Sequence, residues 1–101
     1  PMPEPPIGDY SDSEMLVLGH NAEHAIRLAL GRRGDAWRDP VRIGEVLAKK
    51  LTWKHIQHQR RAGLAALTDL AVEFRRLGYS PPDQMPTEVA QSLADREGQR
   101  A

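Results

Sequence analysis

Residues 53–77 read WKHIQHQRRAGLAALTDLAVEFRRL. Within this stretch Ile56, Leu67, Leu70, Phe74 and Leu77 fall on one face of a 3.6-residue helix, with Leu64 and Ala71 beside it. Gly63 keeps the register but brings no side chain to the stripe, and Gly78 followed by Ser80-Pro81-Pro82 ends the pattern. The spacing predicts one helix from Trp53 to Leu77, ~38 Å long at 1.5 Å per residue. A globule of ~100 residues has a radius of gyration of only ~13 Å. Such a helix overhangs its own domain unless Gly63 bends it or a partner covers it.

Working outward, two more helices precede it and one follows. Met15, Leu18, Ala22, Ala25 and Ala29 repeat at three- and four-residue spacing with Ile26 and Leu30 alongside, so a first helix is expected from about Ser13. Asp12 or Ser13 would cap it, and Gly31 and Gly34 bracket its exit. Asp39-Pro40 is a start signal, the carboxylate accepting orphan backbone N–H groups while proline fills the first helical position. The second helix is therefore expected near residues 40–51, with Ile43, Val46, Leu47 and Leu51 as its stripe. That stripe is out of phase with the third, so the chain should bend around Leu51-Thr52. A weaker helix from Pro86 to about Arg96 offers only Val89, Leu93 and alanines, and is expected to pack loosely or fray.

No strand-like alternation or internal repeat competes, and the fold class is all-α. The expected organisation is an acidic, proline-rich arm over residues 1–12, a helical core over 13–80, and a linker with a short helix over 81–101. Pro1 ahead of Met2 is expected to be a leftover of expression. No window of ~18 apolar residues appears and the start lacks the layout of a signal peptide, so a cytoplasmic location is the default expectation.

The composition excludes several chemistries. Cysteine is absent, which removes disulfides, thiolate nucleophiles and cysteine-ligated metals. The serines lie in the arm, at helix caps or near the ends, and no Gly-rich phosphate loop occurs. His20-Asn21-Ala22-Glu23-His24 matches an H-x-x-E-H zinc arrangement, but both imidazoles fall opposite the apolar stripe, and plain surface histidines are the expectation. His55 and His58 would be their only partners. Neither an enzyme nor a cofactor is expected.

Charge carries more information. The net formal charge is zero, yet residues 1–26 carry −5, residues 27–61 carry +7 and residues 62–101 carry −2. Lys49, Lys50, Lys54, His58, Arg60 and Arg61 therefore form a basic central block, which suits an acidic protein partner or a nucleic acid. The plainer alternative is a solvated face whose cations pair with acids such as Glu14 and Glu23. Helix two leading into a basic helix three invites a helix-turn-helix reading, although Leu51 to Ile56 leaves little room for the usual three-residue turn. Val17 and Leu28, and Val72 further on, lie off their stripes, and Trp37 and Trp53 flank the basic block. With the overlong helix, these residues point first to a small non-enzymatic protein-binding module, an adaptor or regulator that dimerises or docks through Trp53, Val17, Leu28 and the basic block. A nucleic-acid-binding regulator is the alternative, and a metal-dependent activity at His20 and His24 a remote third.

Overall fold

The computed structural model describes residues 14–100 as an all-α domain of five α-helices and one short 3-10 turn. The helices are α1 (His20–Ala29), α2 (Ile43–Lys49), α3 (Trp53–Gln57), α4 (Leu64–Arg76) and α5 (Thr87–Arg100), with the 3-10 turn at Gly34–Arg38. The arm expected over residues 1–12, and the caps Asp12 and Ser13, lie outside the described residues.

The 25-residue helix expected from Trp53 does not form as one piece. The chain breaks after Gln57, passes through Arg61 in the left-handed region at φ 66°, and restarts at Gly63, which becomes the cap of α4. The break lets Trp53 and Ile56 enter the core from one direction while Leu67, Leu70, Ala71 and Phe74 enter it from another. No overhang remains for a partner to cover.

α4 is the central helix. Its buried residues run Ala66, Leu67, Thr68, Leu70, Ala71, Glu73 and Phe74, too wide an arc for a one-sided surface helix, because α1 packs on one flank and α5 on the other. α5 is correspondingly better anchored than its composition predicts: Val89 and Leu93 are buried, the Thr68 hydroxyl, which donates to the Leu64 carbonyl, accepts from the Ser92 hydroxyl at 2.9 Å, and Arg96 Nη1 meets Asp69 Oδ1 at 2.5 Å. The segment after residue 80 thus shares the core of the preceding helices.

α1 starts at His20, not near Ser13. Residues 14–18 are extended: Leu16 N–H donates to the Val41 carbonyl and Ile43 N–H to the Glu14 carbonyl, both at 2.9 Å, around an antiparallel bridge of Met15 with Arg42. Alternation replaces helical spacing, so Leu16 and Leu18 lean on the core while Met15 and Val17 face outward. The same pairing holds Pro40, Val41 and Arg42 extended. Helix α2 therefore begins three residues after Pro40, with Arg42 and not Asp39 at its cap, and Leu47 is exposed.

The bend at Leu51-Thr52 forms as expected, with Lys50 closing α2 and the Thr52 hydroxyl accepting the His55 N–H at 3.0 Å to open α3. Asp83, from the loop before α5, accepts the N–H groups of Trp53 and Lys54 at 2.7 and 2.9 Å and completes that cap. Phe74 links Trp53 and Tyr79 through ring contacts at 5.6 and 5.1 Å, and the Tyr79 hydroxyl donates to the Leu51 carbonyl. Burial pushes the Tyr79 phenol up from its ordinary range, with the Asp83 carboxylate acting in the same direction.

Candidate functional site: an uncovered cationic edge

Between Glu45 and Asp69 the sequence holds no acidic residue. Cations in that stretch can be neutralised only by carboxylates brought from elsewhere by the fold, and among the described residues the ion-paired carboxylates serve other groups. Asp83, the acid brought to α3, caps its backbone. Glu23 pairs with Arg27, and Glu45 with Arg32.

Arg32 shows what internal neutralisation looks like here. Its side chain is only 6% exposed, and its guanidinium donates to both Glu45 carboxylate oxygens and to the carbonyls of Asp39 and Pro40. This arginine is a strut that fastens the 3-10 turn to α2. By contrast Lys49, Lys50, Lys54, His58, Arg60 and Arg61 are all exposed. Among the described residues no carboxylate forms an ion pair with any of them. Arg61 reaches back to α1, where its Nη1 lies 3.4 Å from Asn21 Oδ1.

Lys49, Lys50 and Lys54 sit on a helix, a three-residue turn and a second helix (α2, residues 50–52 and α3), and His58, Arg60 and Arg61 on the loop that follows. The turn that the sequence spacing argued against is present, because α2 ends at Lys49 and leaves Lys50, Leu51 and Thr52 to make it. α3 is a single turn whose inward residues are Trp53 and Ile56, leaving Lys54, His55 and Gln57 outward. Behind the turn lies a cleft of about 460 Å³ between the C-terminal end of α1 and the α2–α3 corner, floored by Leu30 and Leu51 and rimmed by Lys49, Lys50 and His55. His55 Nε2 lies 3.1 Å from the Ala29 carbonyl, which fixes the ring across the mouth of this cleft.

Three residues expected at a partner surface belong to the packing. Trp53 is 2% exposed and lies against Phe74, so it cannot anchor a partner. Leu28 is half-buried, and Val72 packs against the core from the edge of α4. Val17 alone keeps the expected exposure, at 75%. Trp37 is half-buried, with the His24 ring edge-on at 4.9 Å and the Arg27 guanidinium over its face.

His24 is engaged with Trp37, Glu23 with Arg27, and among the described residues no group of three or more histidine or acidic side chains converges on one point. Burial lowers the His24 pKa, and the charges of Arg61, His20 and Arg27 lower it further.

Two residues that matter to the architecture carried no sequence motif. Glu73 is a buried carboxylate on α4 that accepts the Val17 N–H at 2.8 Å and both Arg76 Nε and Nη2, at 3.1 and 2.8 Å. It clamps the extended segment to the central helix. Its one visible signal is an acid one residue away from Phe74, on the edge of the apolar stripe. Asp83 is the other, and its position after Pro81-Pro82 gives no hint that it caps a helix 30 residues upstream.

Among the described residues no helix is long and apolar enough to cross a membrane. No protein-family model matches the chain, and the searches of curated proteins and of solved structures returned no significant match.

Proposed function

We propose that the protein is a non-catalytic nucleic-acid-binding module that presents the α2–turn–α3 corner and the following loop to a phosphate backbone. The observation that carries this reading is the set of exposed cations, Lys49, Lys50, Lys54, Arg60 and Arg61, left without ion-pair partners among the described residues. Lys49, Lys50 and Lys54 lie on a helix, a three-residue turn and a second helix, the arrangement that lays a short helix against a groove, and Arg60 and Arg61 extend the cations along the next loop. α3 spans ~7.5 Å at 1.5 Å per residue, so phosphate contacts dominate and base contacts are few, with Gln57 the side chain suited to a base edge.

The test is the salt dependence of binding to a labelled duplex. Each neutralised phosphate contributes a slope of about −0.9 in log affinity against log salt, so five contacts give roughly −4.5. Charge reversal at Lys49, Lys50, Lys54, Arg60 and Arg61 should abolish the interaction. Absence of any complex at low salt with micromolar protein would refute the reading.

A protein partner is the second reading, favoured by one observation: Met15 and Val17, 48% and 75% exposed, project from the same side of the extended segment. Val17→Asp should leave the melting curve unchanged and abolish such an assembly. Leu28→Asp, at a half-buried position, should lower stability instead.

A further inference from the structure

Five described residues have left-handed backbone, and the choice of residue at them is uneven. Gly31, Gly34 and Gly78 take three of these positions, while Lys50 at φ 51° and Arg61 at φ 66° take the others. Both exceptions are cations of the uncovered edge. A side chain with a Cβ is disfavoured in this region, which is why glycine is the usual residue just past a helix end. Arg61 has a structural return in its contact with Asn21. Among the described residues Lys50 has none that involves its side chain. The bonds that close α2 run from the Lys50 N–H to the Leu47 carbonyl and from the Leu51 N–H to the Val46 carbonyl, and glycine at position 50 would keep both. Favourable interaction with the negative end of the α2 dipole needs no lysine here either, because Lys49 already stands in the last turn.

What the Lys50 side chain does reach is the 460 Å³ cleft, whose rim it shares with Lys49 and His55. Two ammonium groups beside a recess of that size suit a tetrahedral dianion. The cleft lies at the C-terminal ends of α1 and α2, so Lys49 and Lys50 also offset the negative ends of both dipoles for an anion seated between them. We propose that this cleft is a phosphate seat in which Lys50, held in a conformation unfavourable to lysine, grips one phosphate group of a bound nucleic acid. The inference rests on the nucleic-acid reading for the source of the phosphate, and on the backbone and the cleft for its place.

Two arms separate the seat from its source. In the first, duplex DNA is titrated against the wild type, Lys50→Gly, Lys50→Asn and, as an exposed cation outside the cleft, Arg33→Ala. Both Lys50 variants should melt at or above the wild-type temperature, since glycine and asparagine tolerate the left-handed region. Their salt slope should be shallower by about 0.9, so that between 50 and 200 mM salt the wild type loses about threefold more affinity than they do. Arg33→Ala should keep the wild-type slope if Lys50 is the anchor. In the second arm, inorganic phosphate is titrated while the amide signals of Leu51, Thr52 and His55 are followed by NMR. Saturable shifts in the wild type that vanish in Lys50→Gly support the seat. If phosphate saturates the cleft while no duplex binds, the nucleic-acid source falls and the anion seat stands. Lys50 variants that bind duplex and phosphate like the wild type, or that melt lower, overturn the proposal.

Discussion

Replacing Glu73 by glutamine tests how the N-terminal segment is held. The carboxylate accepts three hydrogen bonds, one from the Val17 backbone and two from Arg76, and Arg76 Nη2 also lies 3.3 Å from the Met15 carbonyl. Glutamine is nearly isosteric and keeps one carbonyl oxygen for Val17, so the change removes charge with little change of shape. A hydrogen bond to a charged acceptor contributes about 1.5–3 kcal/mol and one to a neutral acceptor about 0.5–1.5, so weakening the Val17 bond costs ~1 kcal/mol. The Arg76 side chain is 47% exposed, and an ion pair so open to water contributes at most ~0.5–1 kcal/mol. The expected loss is about 1.5 kcal/mol, and at ~4–8 °C per kcal/mol for a domain of this size the melting temperature should fall by about 6–12 °C.

The pH dependence supplies the sharper test. Burial pushes the Glu73 carboxyl up, but hydrogen bonds from Arg76 and Val17 and the charge of Arg76 outweigh it, and the net pKa lies below the ordinary 4.5. A carboxyl depressed in the folded state stabilises fully above its unfolded value, and that contribution is lost as pH falls through the folded value. The gap between wild type and Glu73→Gln should therefore be full at pH 7, still full near pH 5.5, and shrink progressively below 4.5. Circular dichroism melts across that range measure it. An equal gap at pH 7 and pH 2.5, or no gap at pH 7, would refute the clamp.

Trp53→Ala should lower stability by about 3–5 kcal/mol, the range for deleting a buried tryptophan, as read by urea denaturation; an unchanged midpoint would return Trp53 to the surface. Asp83→Ala removes the acceptor for two N–H groups of α3 and should cost ~1–2 kcal/mol, with faster amide exchange at Trp53 and Lys54 as the local signature. His24 is held below its ordinary 6.5, so the unfolded chain takes up its proton first and stability should decline as pH is lowered from 6.5 through the folded value. His24→Gln should flatten that limb without affecting the one below pH 4.5.

The parts of the fold legible in the sequence are those set by local spacing. Leu67, Leu70, Ala71 and Phe74 describe a helix face whatever surrounds them, the α2 and α3 stripes are out of phase, and the turn at Gly78 follows from its φ of 75°. The misread parts are those where two local readings fit equally well. Met15-Leu16-Val17-Leu18 is apolar at every position, so a period of two and a period of 3.6 both pass through it. The choice is made by pairing with residues 41–43, some 27 positions away. The break after Gln57 is hidden for a related reason. Ile56 and Leu67 are eleven residues apart, close to three full turns, so the stripe stays in register across a gap that is not helical. The intervening Gln, Arg and Ala residues are themselves good helix formers.

The cationic edge was half legible for a different reason. A sequence states how many charges a segment carries but not which of them are paired. The +7 of residues 27–61 is drawn down where an acid lies within reach, as Glu23 is for Arg27 and Glu45 for Arg32. It survives where the chain runs 23 residues without one. The acids of residues 62–98 that approach do so for other partners: Asp69 meets Arg96, Glu73 meets Arg76, Glu97 meets Arg75 and Asp83 caps α3. Each of those contacts builds the scaffold, and none of these carboxylates forms an ion pair with a lysine among the described residues. Among the described residues, the tertiary arrangement that stabilises the domain therefore leaves these lysines without an ion pair. Under the nucleic-acid reading proposed above, salt should therefore modulate binding far more strongly than it modulates folding.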